Sequence, residues 1–340
     1  MIDSIIPDPT LLMSMRKNTR PWITCVVPAF NEGDGITDFV RDLCAHLAGL
    51  SDRYNVIVVD DGSRDDTKPK VIAITKELPV QLISFSRNFG KEAAIGAGLD
   101  EAQGEVTVII DADFQQPISL ITDFVAKWQE GFDMVYGLRN DRLTDPPVRR
   151  FLSRTFYKIL SRGSQIDIPP DAGDFRLMDR RVVEALRQLP ERGKFMKGLY
   201  NWVGFSHTSV PFDYAFRREG ASKFKLSKLF DLAITGLTSF STFPLRMWVG
   251  VGSIISGLSI LYAVFIIIRT FVLGIDVPGW ATISVAVTFL GGIQLLSIGI
   301  LGEYVSCIYN EVKMRPNYVV NERHGFPNET PVKIEPDPNA

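Results

Sequence analysis

The chain is expected to fold as an α/β protein, a doubly wound parallel sheet followed by a membrane-associated half. Three observations predict this. Short β-branched runs alternate with helix-spaced segments up to about Phe240. Each of those runs ends in polar residues, as strands do where open α/β sheets bind ligands. After Met247 the alternation stops and long apolar stretches begin.

Composition narrows the possibilities. The chain has 340 residues, enough for one large or two ordinary domains. With 46% hydrophobic and 22% charged residues it is not disordered. A net charge of −2 offers no global basic field, so no nucleic-acid partner is expected. Cys25, Cys44 and Cys307, with His46, His207 and His324, lack metal-ligand spacing, and they make no disulfide framework. The N-terminus, M-I-D-S-I-I-P, lacks the basic start and unbroken apolar run of a secretory signal.

In chain order, residues 1–21 are expected to form a flexible arm. Trp22 to Pro28 is a first buried strand and Ala29-Phe30-Asn31-Glu32 the loop at its end. Asp38 to Leu50 is a helix with Phe39, Leu43, Leu47 and Leu50 on one face. Tyr54 to Val59 is a second strand ending in Asp60-Asp61-Gly62-Ser63, and Asp65-Asp66-Thr67 caps the next helix. Val80 to Phe85 is a third strand, and Ser86 to Glu92 leads into a helix through Ala102. Val106 to Ile110 is a fourth strand, Asp123 to Gln129 a helix and Asp133 to Tyr136 a further strand. Helices between strands imply a parallel sheet covered on both faces.

The fourth strand runs straight into Asp111-Ala112-Asp113. Two carboxylates one residue apart at a strand's carboxyl end suit Mg²⁺ or Mn²⁺ bound to a substrate's phosphates, although a polar strand-to-loop turn would look the same. No G-x-G-x-x-G follows a strand and no G-x-x-x-x-G-K-[ST] occurs, so any nucleotide is held by neither glycine-rich loop.

Four motifs in order, V-V-P-A-F-N-E, V-V-D-D-G-S-R-D-D-T, S-R-N-F-G-K-E and D-A-D-F-Q-Q-P, resemble family 2 glycosyltransferases. The later runs G-D-F-R-L-M-D-R, P-E-R, F-M-K-G-L and R-R-E-G-A-S-K look like the polyprenyl-phosphate glycosyltransferases, a group that includes dolichol-phosphate mannose synthases. The membrane half makes the chain most similar to the bactoprenol glucosyltransferase branch. The resemblance implies a nucleotide-sugar-binding sheet of the GT-A type over residues 22–225. It implies that Pro28, Phe30 and Glu32 border the nucleoside, with Asp61 on the base or ribose. The family often has Tyr where Phe30 stands. Asp111, Ala112, Asp113 and Gln115 would hold the diphosphate, with Asp111, Asp113 and Gln115 on the metal. Arg218, Ser222 and Lys223 would close over the phosphates from a later loop. UDP-glucose is the donor favoured by the branch, with mannose, an N-acetylated sugar or an aminoarabinose derivative as alternatives.

The chemistry of such a transfer assigns further roles. A departing diphosphate concentrates negative charge, which a divalent metal, Lys91, Arg218 and Lys223 could stabilise. A lipid monophosphate has a second pKa near ~6, is largely dianionic at neutral pH and can attack without a base. Asp174 is the candidate for positioning or deprotonating the acceptor, its competing role being an ion pair with Arg176 or Arg180. Displacement from one face inverts the anomeric centre. Arg150, Arg154, Lys158 and Arg162 recur at spacing four as one basic helical stripe, joined by Arg139, Arg142 and Arg149. Arg139, Arg150, Arg154 and Arg176 are the candidates for the acceptor phosphate, and the stripe's alternative is a solvated face.

Leu226 to Phe240 is amphipathic and suits the membrane interface within a juxtamembrane segment at 226–245. Trp248 to Leu273 and Ala281 to Leu301 each reach the ~20 residues that cross a bilayer, giving two spans within 246–305 and a tail at 306–340. Lys228 and Arg246 precede the first span, and Lys313 and Arg315 follow the second. The positive-inside rule then puts the catalytic domain and both termini in the cytoplasm of a bacterial inner membrane. Glycines along the spans permit close packing, and a homo-oligomer is expected, tetramers occurring in the resembling branch. A processive synthase is disfavoured because Gln188 to Arg192 has neither the spacing nor the Trp of Q-x-x-R-W. The rival outside the enzymes is a non-catalytic membrane scaffold or lipid-binding module.

Overall fold

A computed structural model of the chain describes residues 14, 16–139, 172–191, 196–213, 243–273 and 279–326. Eight strands form one sheet: β1 (Ile23–Ala29), β2 (Tyr54–Asp60), β3 (Val80–Phe85), β4 (Val106–Ile109), β5 (Met134–Arg139), β6 (Ala172–Asp179), β7 (His207–Phe212) and β8 (Val320–His324). Across the sheet the order is β7-β5-β6-β4-β1-β2-β3-β8. β4, β1, β2 and β3 run parallel, as the alternation of strands and helices required. Strand order reverses between β1 and β4, so the crevice where such folds bind ligands opens beside Ala29 and Asp111.

The expectation of an all-parallel sheet needs correction. β6 runs antiparallel to both of its neighbours, β4 and β5, and β8 runs antiparallel to β3. The sheet is mixed because β6 enters in reverse between two parallel strands. Its period-2 alternation sends Phe175 and Leu177 to one face and Asp174 and Arg176 to the other. Phe175 packs at 4.8 Å from Phe124 in the core.

Helices cover the sheet. They are α1 (Ile36–Leu50), α2 (Thr67–Ile74), α3 (Lys91–Glu101), α4 (Leu120–Gln129), α5 (Arg180–Arg187) and α6 (Met196–Trp202). The apolar stripe read from the sequence is the buried face of α1, where Phe39, Leu43 and Leu47 are inaccessible to solvent. Two features depart from the expected tails. The arm is tied down at Arg16, which pairs with Asp133 at 3.0 Å and Asp179 at 2.6 Å and lies over the Trp128 ring. The segment assigned to a C-terminal tail supplies β8.

A second unit contains the long helices α7 (Phe243–Leu273) and α8 (Trp280–Val312), which touch one another. Among the described residues, Phe289–Val312 is long and apolar enough to cross a bilayer, and none of it is buried in protein. Val251–Ile266 is a shorter apolar run within α7. Leu258, Leu261, Leu295, Leu301 and Ile308 are exposed large hydrophobics along these helices. The amphipathic segment 226–240 and the basic stripe at 150–162 lie outside the described residues.

Candidate active site

The end of β4 and the start of α3 meet a residue from the far side of the sequence. Asp111 follows β4, Lys91 opens α3, and Asp174 stands on β6. Lys91 Nζ lies 2.6 Å from Asp111 Oδ1 and 3.1 Å from Asp174 Oδ2, bridging the two carboxylates. Burial favours the neutral amine, but the charges of Asp174 and Asp111 outweigh it and raise the Lys91 pKa. Burial likewise pushes Asp174 upward, and Lys91, Lys197 and Arg176 together hold its carboxyl below the usual range. Asp174 is therefore ionised at neutral pH. Its Oδ1 is buried with no hydrogen-bond partner among the described residues.

Two clamps hold this cluster. Gln116 Nε2 donates to Asp111 Oδ2 at 2.8 Å, and the Asp111 N–H donates back to Gln116 Oε1 at 3.0 Å. The Gln115 N–H donates to Asp113 Oδ1 at 3.1 Å, turning the loop at Phe114, which has φ 56° and packs edge-on against Phe39. On the other side, Asp61 accepts from the N–H groups of Phe89 (2.6 Å) and Gly90 (2.9 Å), fixing the residues just before Lys91. Burial raises the Asp61 pKa, and those two N–H donors and Arg87 oppose it.

A cavity of about 480 Å³ opens beyond the ends of β1, β2 and β3. Phe30, Asp60, Gly62, Arg87 and Asn88 are among its walls. That size falls within the range of small-ligand sites. Asp60 is committed structurally, since its Oδ1 accepts from the Ser63 N–H (3.0 Å) and its Oδ2 from Ser84 Oγ (2.8 Å). Gly62 has φ +69°, and a Cβ there would lie 2.5 Å from the Arg87 carbonyl carbon. Only glycine lets the second loop pass the third this closely.

The structure brings many of the sequence candidates together. Lys91, Asp111 and Asp174 share one ion-pair cluster, and Phe30 lines the cavity. Pro28 and Ala112 are buried, and the Glu32 N–H donates to Thr67 Oγ1 at 2.9 Å. Asp61 holds the β3–α3 loop, whereas its neighbour Asp60 reaches the cavity wall. Arg176 is 2% exposed, donates to the Gly173 carbonyl and stacks 3.4 Å over the Tyr200 ring. Arg139 is half-buried at the end of β5. Arg150, Arg154, Arg218, Ser222 and Lys223 lie outside the described residues.

Sequence reasoning missed three members. Gln116 engages the Asp111 side chain, a role the adjacent pair of glutamines left undivided. Tyr200 is wholly buried over Arg176, and its hydroxyl has no hydrogen-bond partner among the described residues. Glu92 accepts from the Met196 N–H at 3.2 Å, and burial and the Asp174 charge push its pKa up to about 7. The K-E pair was visible, but only packing against α6 makes Glu92 unusual.

The donor set fits Mg²⁺ or Mn²⁺. Asp111 and Asp113 offer hard carboxylate oxygens, and no three His, Cys, Asp or Glu converge among the described residues as a closed cage. One or two carboxylates, completed by a substrate's phosphates, are how such cations are held beside nucleotides. Chemically, the arrangement pairs fixed positive charge, suited to a departing diphosphate, with an ionised carboxylate from the opposite strand.

The family described as glycosyl transferase family 2 matches residues 24–187. An uncharacterized glycosyltransferase of Synechocystis is 46% identical over 89% of this chain and 96% of its own. The bactoprenol glucosyl transferase of Shigella phage SfII is 44% identical over 89% of this chain and 98% of its own. A prophage bactoprenol glucosyl transferase homolog of Escherichia coli is 42% identical over 88% and 98%. Among solved structures, glucosyl-3-phosphoglycerate synthase of Mycobacterium tuberculosis with Mn²⁺ and UDP aligns at TM-score 0.43 and 20% identity, covering 68% of this chain and 83% of that one.

Proposed function

This chain belongs to glycosyl transferase family 2, and on that footing we propose that it transfers glucose from UDP-glucose to a polyprenyl phosphate such as undecaprenyl phosphate. The observation that carries the proposal is Lys91 held between Asp111 and Asp174 at the switch point of the sheet. The bactoprenol glucosyl transferases, at 42–44% identity over nearly their whole length, favour glucose and the lipid acceptor.

The acceptor's phosphate oxygen attacks the anomeric carbon as the bond to the UDP oxygen breaks, inverting that centre. Because the acceptor is largely dianionic it needs no base, and the ionised Asp174 acts on it through the Lys91 ammonium that it holds at 3.1 Å. Lys91 faces the charge that develops on the leaving diphosphate. Asp111 and Asp113 would hold a divalent cation, which would supply further positive charge there. Gln116 keeps Asp111 aimed, and Asp61 keeps the Lys91 end of α3 in place.

We read α7 and α8 as two spans in a bacterial inner membrane, with both ends cytoplasmic and with a homo-oligomer, a tetramer, packed through span glycines. β8 supports the even number of crossings. The chain leaves the sheet after β7 and returns to the same sheet at β8, so both ends of the helical pair lead to one folded body.

The test replaces Asp113 by Ala in membranes supplied with labelled nucleotide-sugars, polyprenyl phosphate and Mg²⁺, followed by lipid extraction. Wild-type membranes should make labelled glucosyl lipid from UDP-glucose. Asp113→Ala should lower its formation at least ~100-fold, the scale of losing a transition-state charge contact. A variant that still accumulates lipid-linked sugar would leave a scaffold or lipid-binding role as the better reading.

A further inference from the structure

The cavity beyond β1–β3 has a wall from an unexpected part of the chain. Asn321, which follows both long helices in sequence, lines it beside Ser84, Phe85 and Arg87. Asn321 is also the extra residue of a β-bulge. Ser84 pairs with Glu322 and Phe85 with Val320, leaving Asn321 without a partner in the ladder. Bulges beside ligand sites re-aim a side chain that regular alternation would send elsewhere.

The bulge is held firmly. Tyr318 stacks on Phe85 at 4.9 Å, and its hydroxyl donates to Asp100 at 2.8 Å. The Ser86 N–H donates to the Val319 carbonyl at 3.0 Å. Glu322 is pinned by Lys68 at 3.1 Å and His324 at 3.3 Å, and it accepts one N–H from the Asn321 amide at 3.2 Å. A primary amide has two N–H groups and one carbonyl. Among the described residues, one donor and one acceptor of Asn321 therefore remain, on a side chain already oriented. Nearby acceptors have prior partners: both Asp60 oxygens accept hydrogen bonds, and Asn31 Oδ1 accepts from the Arg64 N–H.

We propose that Asn321 is a base-reading residue of the donor site, and that the nucleoside pocket is completed by the strand that follows the membrane helices. A uracil ring presents an N–H between two carbonyls. One donor and one acceptor on a fixed amide match that edge with two parallel hydrogen bonds, and a purine places its edge differently. The inference deepens the UDP-sugar reading and rests on it.

The experiment uses full-length protein in membranes, with Asn321→Ala and Asn321→Asp. The bulge position is solvent-exposed, so both variants are expected to fold. Asparagine to alanine removes both hydrogen bonds, and aspartate keeps the shape but only accepts. Initial rates are measured with UDP-glucose and ADP-glucose at saturating polyprenyl phosphate, and UDP affinity is measured by calorimetry. Both variants should raise the KM for UDP-glucose and the Kd for UDP about 10-fold, the scale of one good hydrogen bond. The kcat and the acceptor KM should stay within about twofold, and the preference for UDP-glucose over ADP-glucose should fall by a similar factor. A merely structural role would not move that preference. Active wild type with unchanged KM and preference in both variants overturns this inference alone. Wild type that neither binds UDP nor uses UDP-glucose overturns the donor reading and this inference together.

Discussion

Replacing Gly62 by Ala tests whether the close crossing of the second and third loops shapes the donor pocket. The added Cβ would sit 2.5 Å from the Arg87 carbonyl carbon, 2.8 Å from the Asn88 nitrogen and 2.9 Å from Arg87 Cα. All three are backbone atoms, so no side chain can swing aside. The positive φ of +69° adds roughly 1–2 kcal/mol for a residue with a Cβ. Displacing the opposed backbone adds about 1–3 kcal/mol, as overpacking does. A total near ~3 kcal/mol should lower the melting temperature by roughly 6–12 °C. Arg87 and Asn88 line the cavity, so the donor KM should rise about 10-fold while the acceptor KM stays put. Gly49→Ala is the control: it lies within α1 with open space around it, and alanine there should stabilise by about 0.5–1 kcal/mol. The measurements are thermal melting in detergent and initial rates against each substrate. A Gly62→Ala protein that melts within ~2 °C of wild type and keeps its donor KM would refute the reasoning.

Two further outcomes follow from the ion pairs and the raised carboxyl. Arg16→Met strands Asp133 and Asp179 in part, since Arg181 also pairs with both, and should cost about 2–3 kcal/mol with donor KM unchanged; chemical denaturation checks this, and an unaltered midpoint would contradict it. Glu92 has its folded pKa raised from 4.5 to about 7, so its contribution is full below pH ~4.5 and is lost as pH rises through about 7. Glu92→Gln should flatten that part of the melting-temperature profile, recovering at most about 3 kcal/mol at pH 8; a profile identical to wild type would exclude a strained Glu92 carboxylate.

The legible parts of this fold are those whose side chains face a core. β1, β2, β3 and β4 are short, largely apolar runs, most of whose residues are buried on both faces, and such runs read as strands without further context. The polar residues at their ends were readable for the same reason, because chain direction and parallel pairing send every strand end to one edge. Asp111 and Lys91 could thus be named as candidates from sequence, and the structure pairs them. The strands that escaped notice lack that signature. β6 alternates Phe175 and Leu177 with Asp174 and Arg176, and its polar face is buried against Lys91 and Tyr200. β7 contains Pro211, which suits only an edge strand, and β7 is an edge of the sheet. β8, V-N-E-R-H, has one apolar residue and becomes a strand because the edge of β3 offers unpaired backbone groups.

By itself the sequence determined the α/β class, the carboxylates at the end of β4 and the family, because period, strand-end chemistry and ordered motifs are local properties of the chain. Only the tertiary structure decided that the sheet is mixed, that Lys91 bridges Asp111 to Asp174, that Gln116 aims Asp111, and that Asn321 walls the cavity. Each of those facts joins residues far apart in sequence or depends on which side chain the backbone turns inward, and no local pattern records either.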